Sequence, residues 1–241
     1  MPRPLFGKGL TALQLKIIAF TAMVIDHLAA GLPFFQEREM RTAFQIMRGI
    51  GRLAFPIFCY FIAVGAVKAK SRRKYLLRLG ILALLCEVPF DLMQTGRFPV
   101  WSRQNTVFTL FLGLLGISLF EKARKKRNRD LLSLLAPGGL LLCLAAARLM
   151  GADYGMPGVL LIYGFYLWQT DLADIPYYPF LLMMMMAALW IHNPIQLISL
   201  LAFFLIFLYN GALGKKLPRY LFYGGYLGQL IVIAGIGQLM R

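Results

Sequence analysis

The sequence MVIDH, residues 23–27, lies near the far end of the first apolar segment of the chain, Leu10 to Leu32. Its carboxylate and imidazole stand in a run that otherwise reads as a membrane-spanning helix, where an aspartate at mid-helix costs about 2.5 to 3.5 kcal/mol to insert. Ionisable residues in such helices pair with one another and mark functional sites. The segment therefore predicts a membrane helix whose polar pair is compensated by neighbouring helices.

The composition excludes an ordinary soluble domain. The chain has 241 residues, of which 59% are hydrophobic, and its mean hydropathy is +0.67, whereas apolar residues make up about 45 to 50% of soluble domains. Apolar runs long enough to cross the hydrocarbon, about 17 to 25 residues, recur along the whole chain. The sequence predicts an all-α, polytopic membrane bundle of about nine transmembrane helices, forming a single domain over residues 1–241.

The formal net charge of +16 comes from basic residues in short loops between apolar segments. No nucleic-acid-binding motif or groove-sized basic face accompanies them, so nucleic acid is not an expected partner. The basic loops alternate along the chain, and the positive-inside rule puts the N-terminus in the cytoplasm and the C-terminus outside, in a bacterial-type inner membrane. Cys59, Cys86 and Cys143 lie in apolar segments without metal-ligand spacing, so no metal site is predicted.

Nine helices are predicted from the apolar runs and from the capping and helix-breaking residues that bound or interrupt them. Thr11 is the expected N-cap of the first, Pro56 is expected to kink the second, and Pro137-Gly138-Gly139 is expected to interrupt the fifth. The predicted helices are Thr11–Leu32, Ile46–Val67, Tyr75–Met93, Gln104–Phe120, Leu131–Met150, Pro157–Gln169, Tyr178–Ile191, Pro194–Tyr209 and Leu221–Met240. Those beginning at Pro157 and Tyr178 are shorter than a full span.

In this topology several polar residues approach the outer face, from the ends of five separate elements. Arg48 and Arg52 share a helix face, and Glu87 and Asp91 repeat the same spacing, so two guanidinium groups are expected to face two carboxylates. The side chains of the consecutive Asp26 and His27 point about 100° apart, so one of them is expected to face the Arg52 row and the other a cavity. The converging residues are Asp26, His27, Arg48, Arg52, Glu87, Asp91, Gln104, Asn105, Asp153 and Tyr154.

Two interpretations of this cluster stay open. Arg48, Glu87 and Asp91 fit buried ion pairs that only hold helices together as well as they fit a reactive site. His27 differs, because an imidazole exchanges a proton near neutral pH and helix pairing does not require that property. The residues alone therefore favour a functional role for His27.

The order of the motifs resembles that of the TraX family over most of the chain. The motifs are Leu13-Gln-Leu-Lys16, Met23-Val-Ile-Asp26-His27, Gly49-Ile-Gly-Arg52-Leu-Ala-Phe-Pro56-Ile-Phe58, Lys74-Tyr75-Leu-Leu-Arg78-Leu, Glu87-Val-Pro-Phe-Asp91-Leu, Gln104-Asn105-Thr-Val-Phe-Thr109-Leu and Ala152-Asp153-Tyr154-Gly155. TraX-type proteins are linked to N-acetylation of conjugative pilin. They are grouped with membrane acyltransferases of the heparan glucosaminide N-acetyltransferase type, which use acetyl-CoA and an intramembrane histidine.

The resemblance implies that His27 is the catalytic acid or base. It implies catalytic partners in Asp26, Arg52 and Asn105, and substrate-binding residues in Arg48, Glu87, Asp91, Gln104, Asp153 and Tyr154. Asp26 or a carboxylate of the third predicted helix is expected to orient the imidazole. One position departs from the family pattern, because Gln229 stands in the last helix where a histidine is expected, and an amide cannot shuttle a proton. Gln229 is kept as a substrate-binding candidate.

These observations predict a membrane acyltransferase that moves an acetyl group from acetyl-CoA, its acyl donor, to an amine or hydroxyl at the extracytoplasmic face. The acceptor is a protein, peptide or glycan that the sequence does not identify. Membrane lipid and acyl-CoA are the other expected partners, with a homo-oligomer as an open option. The alternatives are a proton-coupled transporter or ion path through the charged cluster and a non-catalytic membrane assembly factor.

Overall fold

The computed structural model describes residues 9–125, 136–170, 175, 177–215 and 218–241. Its helices are α1 (Ala12–Gly31), α2 (Arg41–Gly51), α3 (Ala54–Lys68), α4 (Arg72–Thr95), α5 (Thr106–Lys125), α6 (Ala136–Leu149), α7 (Gly155–Gln169), α8 (Tyr178–Leu189), α9 (Pro194–Leu197), α10 (Leu201–Phe207) and α11 (Arg219–Leu239). Short 3₁₀ turns occupy Pro33–Gln36, Arg38–Met40 and Ile198–Leu200. The all-α prediction is confirmed.

Four helical segments are long and apolar enough to cross a membrane: Ala12–Gly31, Arg38–Lys68, Thr106–Arg124 and Tyr220–Leu239. Shorter apolar helices cover Pro137–Leu149, Tyr178–Leu189 and Pro194–Phe207. These lengths and compositions indicate a multi-pass membrane protein. If α2 with α3 and α9 with α10 are each counted as one broken helix, the described residues form the nine predicted helical segments.

The N-terminus of α1 is closed in the way the sequence predicts. Thr11 is its N-cap and forms a capping box with Gln14, in which each side chain accepts a hydrogen bond from the other residue's backbone N–H. The next two N–H groups of the helix, those of Ala12 and Leu13, donate to the carbonyls of Ala212 and Leu213. The backbone N–H groups of the first turn therefore find acceptors both in the helix's own cap and in a loop distant in sequence.

The second predicted helix begins earlier and breaks at a different residue than expected. Residues 41–45, predicted as loop, open α2, and the chain turns at Arg52 and Leu53 before α3 begins at Ala54. Pro56 explains the position of the break, because a proline has no N–H for the carbonyl four residues earlier and its ring clashes with that carbonyl. The kink predicted at Pro56 therefore lies at Arg52, which places this arginine at a helix end.

Three further boundaries differ from the prediction. α4 starts at Arg72, three residues before the predicted Tyr75, so Arg72, Arg73 and Lys74 belong to its first turn, and α5 continues past Phe120 to Lys125. Pro137, expected to interrupt the fifth predicted helix, lies within α6. Residues 126–135 lie outside the described part of the chain, so the interruption stays a prediction. The eighth predicted helix is broken by the 3₁₀ turn at Ile198–Leu200.

Some sequence predictions fall outside the described residues. These are the basic residues Arg3, Lys8, Lys126, Arg127, Arg129 and Lys216, the predicted start of the fifth helix at Leu131, and the acidic residues Asp171 and Asp174.

The chain divides into two compact units. Unit 1 contains residues 1–58, 88–99 and 183–241, and within it α1 packs against α2 and α11. Unit 2 contains residues 59–87 and 100–182, where α5, α6 and α7 pack together around Leu112, Cys143 and Val159. The single domain expected over residues 1–241 stays a prediction.

Candidate functional site

In unit 1 the carboxylate of Asp26 lies between two arginines of one helix. Its Oδ2 accepts a hydrogen bond from Arg48 Nη1 at 2.7 Å and its Oδ1 accepts one from Arg52 Nη2 at 2.6 Å. The side chains of Asp26 and Arg52 are only 12% and 7% exposed, so both charges are largely desolvated. Of the two consecutive residues Asp26 and His27, Asp26 is thus the one that faces the arginine row. The expected pairing of Glu87 and Asp91 with these arginines stays a prediction.

A glycine permits this close approach. A Cβ atom at Gly51 would lie 2.2 Å from the Cβ of Asp26 and 2.3 Å from its Oδ1. Any larger residue would push the two helices apart at the ion pair. The Gly-Ile-Gly-Arg sequence that ends α2 therefore sets the distance between the carboxylate and the guanidinium groups.

We expect Gly51→Ala to lower the free energy of unfolding by about 1 to 3 kcal/mol, the usual cost of overpacking a tight contact. Gly49→Ala is the matched control, because its Cβ would meet only the Cδ1 of Ile198, at 3.0 Å, and alanine favours the helix. Thermal unfolding of both variants in detergent measures the difference. Equal stability of the two variants would mean that the contact of Gly51 with Asp26 is not tight.

His27, the neighbour of Asp26 on α1, has its own polar partner on the last helix. The Nδ1 atom of His27 lies 2.5 Å from Nε2 of Gln229 on α11. The ring of Tyr226, one turn before Gln229, packs edge-on against the imidazole with centroids 6.0 Å apart. The imidazole is 6% exposed. Gln229 is the partner described at Nδ1. Orientation of this ring by Asp26 or by a carboxylate of the third predicted helix stays a prediction.

The last predicted residue of unit 1 is Asp91 on α4. It is 2% exposed, and its backbone carbonyl accepts a hydrogen bond from Thr95 Oγ1 at 2.9 Å. Unit 1 thus contains Asp26, His27, Arg48, Arg52, Asp91 and Gln229 among the predicted site residues.

In unit 2 Glu87 of α4 binds the residue that precedes α5. Oε2 of Glu87 accepts hydrogen bonds from the backbone N–H of Asn105, at 3.2 Å, and from its side-chain amide. The same amide nitrogen donates to the carbonyl of Ala83 at 2.8 Å, and its oxygen accepts from the N–H of Val107 at 3.0 Å. Asn105 is fully buried. Its side-chain hydrogen bonds join α4 to the start of α5.

The other predicted residues of unit 2 meet where the chain enters α5 and α7. Gln104 pairs with Ala152 in an isolated β-bridge. Asp153 accepts a hydrogen bond from Thr106 Oγ1 at 2.8 Å, and its carboxylate lies 3.7 Å from Arg103 Nη2 in a weaker ion pair. Tyr154 precedes α7. Unit 2 therefore holds Glu87, Gln104, Asn105, Asp153 and Tyr154. The convergence of all the predicted residues in one site stays a prediction.

Sequence reasoning missed a buried carboxylate in unit 2. Glu121 of α5 is 5% exposed and accepts a hydrogen bond from the hydroxyl of Tyr166 on α7. It also lies 3.3 Å from Arg124 and 3.8 Å from Arg72, whose Nε donates to the carbonyl of Ala66 at the end of α3. The signal was an isolated acidic residue at the edge of a basic loop, just beyond the predicted end of the fourth helix.

We expect Glu121→Gln to destabilise the protein by about 1.5 to 3 kcal/mol, the contribution of a hydrogen bond to a charged group. The reason is that the amide keeps the volume but removes the charge between Tyr166 and the two arginines. Glu39→Gln, at an exposed position, is the control and should stay within about 0.5 kcal/mol of the parent. Chemical or thermal unfolding in detergent measures both, and an unchanged Glu121→Gln protein would contradict the expectation.

Among the residues that the structure describes, no group of three His, Cys, Asp or Glu side chains is arranged to hold a metal ion.

Long apolar helices that carry a buried aspartate, two arginines and a histidine indicate a multi-pass membrane protein with a buried polar site. Residues 12–237 match the family described as TraX protein, and the chain belongs to this family. The resemblance drawn from the motifs is thereby confirmed.

One relative is named probable fimbrial assembly protein FimC, serogroup H1, from Dichelobacter nodosus. It is 31% identical over 116 residues, which cover 45% of this chain and 46% of the relative. The matched stretch is thus less than half of either protein. The comparison with solved structures gives no match.

Proposed function

We propose that this protein transfers an acetyl group from acetyl-CoA to an amine or hydroxyl acceptor at the extracytoplasmic face of the membrane. Membership of the TraX family supports the reaction class. The observation that carries the proposal is that two neighbouring residues of α1 have different partners. Asp26 is neutralised by Arg48 and Arg52, while the adjacent His27 is held at Nδ1 by the neutral amide of Gln229.

In this arrangement His27 is the proton acceptor. The acceptor's nitrogen or oxygen attacks the carbonyl carbon of the thioester, and His27 removes the proton that the attacking atom loses. The carbon–sulfur bond then breaks, CoA leaves as the thiolate, and the proton on His27 is returned to that sulfur. A positioned general base is worth about 10²- to 10⁴-fold in rate. His27 is unchanged at the end of the cycle, so the reaction needs no other reactant.

The negative charge that develops on the thioester oxygen requires a donor or a positive charge nearby. Arg52 has the charge, and its Nη2 and Nε donate to Asp26 and to the carbonyl of Arg48. Both protons of the Asn105 amide have acceptors within unit 2, in Glu87 and Ala83. Arg52 is therefore the stronger candidate of the two for the oxyanion, with Asn105 holding Glu87 in place.

The proposed acceptor class follows from the relatives. Acetylation of a pilin amine is the activity that the family resemblance implies, and the name of the FimC relative concerns fimbrial assembly. A free amine at the N-terminus of a pilin peptide is therefore the first acceptor to test. Glycan hydroxyls are the second class.

Incubation of the purified protein with acetyl-CoA that carries a labelled acetyl group tests the proposal. We expect release of CoA and transfer of label to a pilin peptide with a free N-terminal amine, and no transfer to the same peptide with a blocked amine. A protein that binds acetyl-CoA but releases no CoA with any amine or hydroxyl acceptor would overturn the proposed function.

The proposed orientation has the N-terminus in the cytoplasm and the C-terminus outside. In a background without Cys59, Cys86 and Cys143, we expect Lys122→Cys to react with an impermeant maleimide only from the cytoplasmic side. Arg97→Cys is expected to react only from outside, because the two exposed positions lie beyond opposite ends of one predicted span, Gln104–Phe120. The opposite labelling would reverse the direction of transfer.

A further inference from the structure

We propose that Gln229 is the positioning residue of His27. Its amide oxygen accepts the Nδ1 proton of the imidazole, which leaves Nε2 as the basic nitrogen. The inference deepens the proposed function, because it rests on His27 as the proton acceptor, and it gives a role to the position where this chain departs from the expected histidine.

The contact between the two side chains carries the proposal. Nε2 of Gln229 lies 2.5 Å from Nδ1 of His27, which is so short that a hydrogen bond must join the two side chains. In this orientation the amide oxygen of Gln229 is buried and has no hydrogen-bond partner among the described residues. A buried acceptor without a donor destabilises the fold.

A half-turn of the amide exchanges its oxygen and nitrogen, which are nearly equal in size. The oxygen then takes the place beside Nδ1 and receives the proton of that nitrogen. Because the hydrogen bond at one imidazole nitrogen decides which nitrogen carries the proton, Nε2 then keeps its lone pair. This is the tautomer that a general base requires.

The packing of α1 on α11 fixes the two side chains relative to each other. A Cβ at Gly237 would lie 2.4 Å from the carbonyl oxygen of Gly31, so the two backbones are in contact at one end. At the other end a Cβ at Gly225 would lie 3.0 Å from the ring of Phe20. Gln229 and His27 lie between these two contacts, so the amide has little freedom to leave the imidazole.

Charge explains why an amide suits this position. The carboxylate of Asp26 already lies next to His27 in the sequence and is balanced by two arginines. A second carboxylate at position 229 would add an uncompensated charge to a desolvated helix contact. Glutamine orients the imidazole without that charge.

Nitrogen-15 NMR of the imidazole tests the proposal directly. The chain has two histidines, and the exposed His192 can be replaced by glutamine so that all imidazole signals come from His27. In this parent we expect the neutral ring to carry its proton on Nδ1. Gln229→Leu should move the proton to Nε2, the nitrogen that histidine prefers to protonate in water. Gln229→Glu, which keeps an acceptor oxygen, should retain the parent tautomer.

Gln238→Leu is the matched control, because Gln238 lies on the same helix and donates to the carbonyl of Leu92. It should leave the His27 tautomer unchanged. A parent ring protonated on Nε2 would overturn the proposal, as would a Gln229→Leu ring that keeps its proton on Nδ1. The spectra need neither acetyl-CoA nor an acceptor. A protein with the expected tautomer that consumes no acetyl-CoA would therefore overturn the proposed function and leave the hydrogen bond standing.

Discussion

Replacing His27 with glutamine is expected to lower the rate of acetyl transfer by about 10²- to 10⁴-fold, the contribution of a positioned general base. Glutamine has a similar polar volume and can still form a hydrogen bond with Gln229, but it cannot accept a proton. The helices should therefore assemble as in the parent. The measurement is the release of CoA per folded molecule, with thermal unfolding in detergent as the check on folding.

The control for this prediction is His192→Gln, which removes the other histidine of the chain at an exposed position. It should leave the rate of CoA release unchanged. If His27→Gln folds and still turns over acetyl-CoA at the parent rate, His27 is not the base, and the ion path through the charged cluster becomes the better hypothesis. If instead the variant loses stability while each folded molecule keeps its activity, His27 serves helix pairing alone.

The second large effect is expected from Asp26→Asn, which should lower the free energy of unfolding by about 3 to 5 kcal/mol. The asparagine keeps the shape of the side chain but removes the charge that balances Arg48 and Arg52. Removal of one partner from a buried ion pair leaves the other charges without compensation. Unfolding in detergent measures the loss.

The control for Asp26→Asn is an ion pair near the surface. Arg103 is 52% exposed and lies 3.7 Å from Asp153, so Arg103→Gln should cost no more than about 1 kcal/mol. Replacing Asp26, Arg48 and Arg52 together with apolar residues should recover much of the stability lost in Asp26→Asn. If Asp26→Asn is as stable as the parent, the carboxylate is not the counter-ion of the two arginines in the membrane.

The sequence located the spans well where one rule decides their ends. Thr11 was recognised as an N-cap because a threonine before an apolar run satisfies the first turn of a helix, and the end of the sixth predicted helix was placed at Gln169, where the structure has it. Boundaries failed where charged residues extend a helix into water. α5 continues to Lys125 because lysine and arginine are good helix formers.

Site partners were harder to predict. The spacing of Arg48 and Arg52 places them on one face of a helix, but it does not say how that helix is rotated toward its neighbours. Only the structure shows that Asp26 binds both arginines, and the contact of Glu87 with Asn105 was not predicted. Glu121 was missed because its position suggested a loop, although α5 carries it into a buried contact with Tyr166.

The sequence by itself determined an all-helical membrane chain, the family it belongs to, and the presence of an aspartate and a histidine within its first apolar helix. It determined these because the hydrocarbon core fixes the length of a span and makes each polar residue inside it costly. Only the tertiary structure decided that Asp26 is paired with Arg48 and Arg52, and that Gln229 lies at His27. These contacts join residues about 20 or 200 positions apart, and they depend on glycines that let the helix backbones approach, which spacing along the sequence cannot reveal.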